Sequence, residues 1–106
     1  MYEKKVGSTR MMTFYITNVQ DALIRAHKTL THESGRKLIV RLIDEYLEDP
    51  FEGHHGEASS GHAIVRKSVE LEIGVAERLR EHAYKTGESS AALVRRLLDN
   101  YFAHHK

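Results

Sequence analysis

One segment of the chain occurs twice. Ser34-Gly35-Arg36-Lys37-Leu38-Ile39-Val40-Arg41-Leu42-Ile43-Asp44-Glu45-Tyr46-Leu47 returns 55 residues later as Ser89-Ser90-Ala91-Ala92-Leu93-Val94-Arg95-Arg96-Leu97-Leu98-Asp99-Asn100-Tyr101-Phe102. From Thr31 to Leu47, eight of seventeen positions are identical to their partners, and Ile39/Val94, Ile43/Leu98 and Leu47/Phe102 exchange one apolar residue for another. An internal repeat constrains the fold more than any single motif, because both copies must be accommodated by one architecture. In a chain of 106 residues each unit has about 50, near the lower limit for burying a stable core alone, so the two units are expected to need each other.

Composition removes several classes of function. The chain is 41% hydrophobic and 29% charged, and no apolar run approaches the roughly 20 residues of a membrane span, which argues against a membrane partner. It has no cysteine, hence no disulfide, thiolate metal site or cysteine nucleophile. Without an apolar N-terminal leader the expected location is cytoplasmic. The net charge of +1 does not decide for or against nucleic acid, because phosphate contacts depend on local clusters. Such clusters are present as Lys4, Lys5 and Arg10 in an N-terminal arm (residues 1–9 with Arg10 beside it), as Arg36 and Lys37, and as Arg66 and Lys67.

The second copy is the clearer to parse. From Arg66 to Ile73, Val69, Leu71 and Ile73 alternate with Arg66, Ser68, Glu70 and Glu72, the period of a half-buried strand, with Lys67 interrupting the apolar side. After Gly74 the spacing becomes helical, with Val75, Leu79 and Ala83 on one face and Gly87 placed for a left-handed C-terminal cap. Ser89 then caps a second helix whose stripe is Leu93, Val94, Leu97, Leu98, Tyr101 and Phe102. In the first copy Met12, Phe14 and Ile16 alternate with Met11, Thr13 and Tyr15, and Thr17 with Gln20 forms a capping box for a helix carrying Val19, Leu23, Ala26 and Leu30. Arg25/Arg80 and His27/His82 match at an offset of 55, but Val19/Val75 and Leu23/Leu79 match at 56, which predicts a one-residue indel on each side of the first helix. The copies therefore span residues 10–48 and 63–106, joined by a linker over 49–62 that contains Pro50, Gly53, Gly56 and Gly61.

A lone strand with two short helices leaves backbone groups and apolar faces uncovered. Antiparallel pairing of the two strands removes the problem: Phe14, Ile16, Val69 and Leu71 face four helices, and Met11, Thr13, Tyr15, Arg66, Ser68 and Glu70 face solvent. The expected fold is mainly α with a two-stranded antiparallel ribbon. A ribbon of this width fits the major groove of B-DNA.

Strand, helix, Thr86-Gly87-Glu88-Ser89, then a helix with Leu93-Val94-Arg95-Arg96-Leu97-Leu98, resembles the ribbon-helix-helix superfamily of Arc, MetJ and CopG type DNA-binding proteins. The resemblance covers both copies, and tandem copies in one chain are similar to TraY-type relaxosome accessory proteins of conjugative plasmids. It implies an intramolecular pseudodimer that binds double-stranded DNA, with a relaxase or other relaxosome protein as a further partner. The outward strand residues Met11, Thr13, Tyr15, Arg66, Ser68 and Glu70 would read bases. The second-helix starts would hold phosphates, through Ser34, Gly35, Arg36 and Lys37 in one copy and Ser89, Ser90 and Ala91 in the other, with Arg10 as a further phosphate contact. Free N–H groups and the dipole favour an anion at such a start. Met11, Tyr15 and Glu70 depart from the usual base-reading types, and the unlike strands imply a non-palindromic site. A transcriptional repressor and an antitoxin-type interaction module are the alternatives.

Eight histidines raise the question of a metal, but His54-His55, His62, His104-His105, His27 and His82 show no HExxH or comparable spacing. His27 and His82 are expected on helix surfaces or rims, and Tyr46 and Tyr101 in the core or its rim. With no phosphate loop, nucleophile elbow or close carboxylate pair, neither cofactor nor catalysis is expected.

Overall fold

The computed structural model describes residues 9–50 and 63–104. Lys4, Lys5, most of the linker, His54, His55, His62 and His105 lie outside them. The elements run β1 (Thr9–Thr17), α1 (Asn18–Thr31), α2 (Gly35–Glu48), β2 (Ala63–Glu72), α3 (Ile73–Thr86) and α4 (Ser90–His104). β1 and β2 pair antiparallel as a two-stranded sheet, with α2 packed over β2 and α4 over β1.

Local chemistry sets the boundaries. Thr17 Oγ1 accepts from the Gln20 N–H at 3.0 Å while Gln20 Oε1 accepts from the Thr17 N–H at 2.9 Å, completing the expected capping box. Ser34 and Ser89 cap α2 and α4 by accepting from the N–H groups of Lys37 and Ala92 at 3.2 and 3.1 Å. Gly87 ends α3 at φ 78°, in the left-handed region, and its counterpart His32 ends α1 at φ 68°. Ile73, expected as the last strand residue, is instead the first residue of α3. Strand pairing stops where Glu72 meets Thr9, and Glu72 becomes the N-cap.

The register is centred on Thr13 opposite Ser68, which are also equivalent positions of the repeat. Inside the ribbon Phe14, Ile16, Val69 and Leu71 are at most 2% exposed. They pack with Leu38, Ile39, Leu42 and Ile43 of α2 and Leu93, Val94, Leu97 and Leu98 of α4. Burying each such side chain contributes about 1.5–3 kcal/mol. Lys67, opposite Phe14 on this inner side, is accommodated by an ion pair with Asp21 at 2.9 Å, and Asp21 also meets Arg25 at 2.9 Å.

The first helix departs from expectation. Val19, Leu23 and Leu30 are 50, 39 and 82% exposed, and Ala26 is exposed as well. The buried face is Gln20, Asp21, Ile24 and His27. Its polar members have specific partners: Gln20 Nε2 donates to the Arg95 carbonyl at 3.2 Å and to Asp99 Oδ1 at 2.9 Å, and Asp21 holds Lys67. The cap at Thr17 fixes the phase of the helix, and these partners reward that phase over the apolar one. Ile24 thus matches Leu79 at an offset of 55, both are buried, and the expected indels are unnecessary.

α1 and α2 approach closely at Gly35, where a Cβ would lie 2.6 Å from Ile24 Cγ2. The expected effect of Gly35→Ala is destabilisation by about 1–2 kcal/mol, overpacking outweighing the gain in helix propensity. Urea unfolding checks it, and in an Ile24→Ala background the penalty should vanish, since the clashing methyl is gone.

Candidate nucleic-acid interface

The outer face of the ribbon consists of three cross-strand pairs: Met11 opposite Glu70, Thr13 opposite Ser68, and Tyr15 opposite Arg66. The alternation that buries Phe14 and Val69 turns these six outward. Met11 and Tyr15 are 59 and 46% exposed, Thr13, Arg66 and Glu70 are exposed, and Ser68 is half-buried. Thr13 Oγ1 and Ser68 Oγ lie 3.0 Å apart in a hydrogen bond at the centre. Two large apolar side chains beside Arg66 and Glu70 offer van der Waals, donor and acceptor surfaces on one strip.

Along one side of the strip runs an open groove of about 750 Å³, lined by Met11, Ser68 and Glu70 from the ribbon, by Arg36, Lys37, Val40, Arg41, Asp44 and Glu45 from α2, and by Glu33 before it, so its charge is mixed. The structure thereby brings Met11, Ser68 and Glu70, part of the set expected to read bases, together with Arg36 and Lys37 from one set expected to hold phosphates. Arg36 and Lys37 are exposed. At any helix start the N–H groups have no carbonyl one turn back, so Gly35 and Arg36 direct theirs outward beside these cations. On the opposite side Arg95 Nη1 donates to the Tyr15 carbonyl at 2.8 Å, which ties α4 to the Tyr15 and Arg66 end. There the helix starts with Ser90 and Ala91, both half-buried, and Ala91 packs against the core. Arg10 is exposed, but the alternation puts it with Met12 and Phe14 rather than with the outer six.

Beneath the helix starts lies a constellation that sequence reasoning did not assemble. His27 is buried and its Nε2 lies 2.7 Å from Glu33 Oε1, while Arg41 donates to both Glu33 oxygens through Nε and Nη2 at 2.9 Å each. The same group recurs 55 residues on: His82 lies 3.2 Å from Glu88, and Arg96 donates to both Glu88 oxygens at 2.9 Å. Each group is covered by the tyrosine of the other copy. Tyr101 stands edge-on to His27 at 5.6 Å with Arg41 5.6 Å from its ring centre, and Tyr46 stands edge-on to His82 at 5.4 Å with Arg96 at 5.5 Å. His27 is therefore buried rather than at a surface or rim, His82 is half-buried at a rim, and the signal for the pair of networks was the repetition of His, Glu, Arg and Tyr at one offset. Among the described residues no cluster of three or more His, Asp or Glu could hold a metal, and no helix is long and apolar enough to cross a membrane.

The Arg41 guanidinium, bonded to Glu33, holds that carboxyl down at about 2, against the opposing effect of burial, and His27 adds to the lowering. Arg96 lowers Glu88 in the same way. A depressed carboxyl favours the folded state above its unfolded value of 4.5, and this contribution is lost as pH falls toward 2. Urea midpoints should decline over that interval. Glu33→Gln should lose about 1–3 kcal/mol at pH 7 and show a shallower acid decline; an unchanged slope would remove the network as its source.

Comparison of the chain with protein-family models, with curated proteins and with solved structures gives no match.

Proposed function

We propose that this protein binds double-stranded DNA in a sequence-specific manner as a tandem ribbon-helix-helix pseudodimer, laying the β1–β2 ribbon in the major groove, and that it performs no chemistry of its own. The observation that carries the reading is the ribbon's outer face: a two-stranded strip backed by four helices whose outward residues are exposed and chemically mixed, with the exposed cations Arg36 and Lys37 beside it. A major groove about 12 Å wide admits a two-stranded ribbon, and Arg, Ser, Thr and Glu each have a base edge they can pair with. The antiparallel pairing of the two copies within one chain is compatible with a single-chain pseudodimer; a monomer by sedimentation supports it, and an obligate dimer would replace it with assembly from two chains.

The tandem organisation resembles accessory factors that assist a relaxase at a plasmid transfer origin, and this is the role we propose. Copurification with a relaxase supports it; repression of an adjacent promoter with no relaxase bound would replace it with a transcriptional role.

Selection of bound duplexes from a random pool tests the DNA reading directly. A defined site should emerge, bound far more tightly than random duplex, with affinity falling steeply between 50 and 200 mM salt. Arg66→Ala should weaken binding to the selected site by about 1–3 kcal/mol while leaving random-duplex binding nearly unchanged. Equal affinity for selected and random duplexes would sink the reading.

A further inference from the structure

The outer face is centred on Thr13 and Ser68, a hydroxyl pair that is equivalent by repeat and opposed by register. Two residues to either side, identical copies would place the same residues at both ends. Instead Met11 is the counterpart of Arg66, and Tyr15 is the counterpart of Glu70. Register therefore sorts the charges: one end carries Met11 with Glu70 and the other Tyr15 with Arg66, so a lone anion and a lone cation sit at opposite ends of the strip. Four residues of strand separate the ends, about 14 Å, which matches about four base-pair steps of 3.4 Å.

The helices are sorted too. A glutamate entering the groove of a polyanion needs a nearby cation, and the groove that Glu70 lines is lined from α2 by the exposed Arg36 and Lys37, with Asp44 and Glu45 farther along that helix. The corresponding positions at the Arg66 end are Ala91 and Ala92, and there the ribbon arginine itself supplies the positive charge. The Glu70 end thus takes its cations from the start of α2, and the Arg66 end from the ribbon, with Arg95 of α4 bonded to the Tyr15 carbonyl beside it.

We infer that the protein reads its site in one fixed direction, resting on the DNA-binding reading above: Arg66 takes a guanine through O6 and N7 at one end, and Glu70 accepts from a cytosine N4 amino group about four base pairs away. Arg36 and Lys37 hold the phosphates beside the Glu70 end. Thr13 and Ser68, bonded to each other, mark the centre and discriminate least.

Selection with the full chain and three variants tests this. Arg66→Ala should lower discrimination about tenfold to a hundredfold at one base pair, on one side of the centre. Glu70→Gln should change the preferred pair on the other side from G·C toward A·T, because glutamine pairs with adenine N6 and N7. Arg36→Ala/Lys37→Ala should keep both preferences, reduce the salt dependence, and lose phosphate-ethylation interference on the Glu70 side alone. The inference is overturned if Arg66→Ala and Glu70→Gln alter the same base pair, if Glu70→Gln leaves the site unchanged, or if the lost phosphate contacts fall on both sides. A wild-type chain that selects no site overturns the DNA reading itself, a separate result.

Discussion

Backbone pairing between β1 and β2 is the constraint on which the rest of the structure depends. A strand of nine or ten residues with no neighbour leaves a row of N–H and C=O groups to solvent and cannot present a dry face to helices. Each copy of the repeat has one strand, so each is incomplete until the other arrives. Once paired, the alternation of a strand decides both faces together: the register that buries Phe14 beside Val69 also exposes Thr13 beside Ser68. A one-residue slip of β1 would turn Met11, Thr13 and Tyr15 inward and expel Phe14 and Ile16, and a slip of β2 would turn Ser68 and Glu70 inward and expel Val69 and Leu71. Register is thus strongly fixed by the interior, and the outer strip inherits that precision.

The second linkage between the copies is polar. Glu33 and Glu88 each accept two bonds from an arginine of their own copy, and the tyrosine from the other copy covers each group. A carboxylate held by a guanidinium in a forked geometry is strong and directional, and it stays satisfied when partly withdrawn from water. Placing the covering ring on the other copy makes each network complete only when the copies are packed together. The arrangement also positions the turns before α2 and α4, since Thr31 and Thr86 accept from the N–H groups of Glu33 and Glu88. The helix starts beside the ribbon are therefore anchored from below by charges whose partners are already assigned.

Much of this was legible in the residues. Strand alternation, the caps at Thr17, Ser34 and Ser89, the left-handed Gly87, and the stripe of the second helices follow from local rules, and the structure has them where the rules place them. The phase of α1 was not legible. Val19, Leu23 and Leu30 form a credible apolar face, and hydrophobic spacing cannot know that Gln20 meets α4 and that Asp21 meets Lys67 of the other strand. For the same reason Lys67 read as a flaw in an apolar alternation when it is half of an ion pair, and His27 read as a surface or rim residue when it is buried against Glu33 and Tyr101. What escaped in each case is a polar contact between residues distant in sequence or shape. The outer six residues were legible as a set because alternation is enough to define them; their sorting into opposite ends needed the register.

Divergence between the copies follows a physical division. Where a residue makes a contact that its copy also makes, as Ser34/Ser89, Glu33/Glu88, Arg41/Arg96 and Tyr46/Tyr101 do, the two copies agree. Where a residue faces outward from the ribbon, as Met11/Arg66 and Tyr15/Glu70 do, or where an exposed cation at one helix start has a half-buried counterpart at the other, as in Arg36/Ala91 and Lys37/Ala92, they differ in charge or size. Contacts matched in this way tolerate little change on either side, because a substitution in one copy leaves a cavity or an unpaired polar group, whereas inner positions without a matched contact, such as Phe14/Val69 and Asp21/Ala76, do differ. The outer positions carry no such penalty, so folding leaves their residues free to differ. Covalent joining lets the two halves of the outer face differ without disturbing the shared core, and two differing halves give the strip a direction that identical halves could not have.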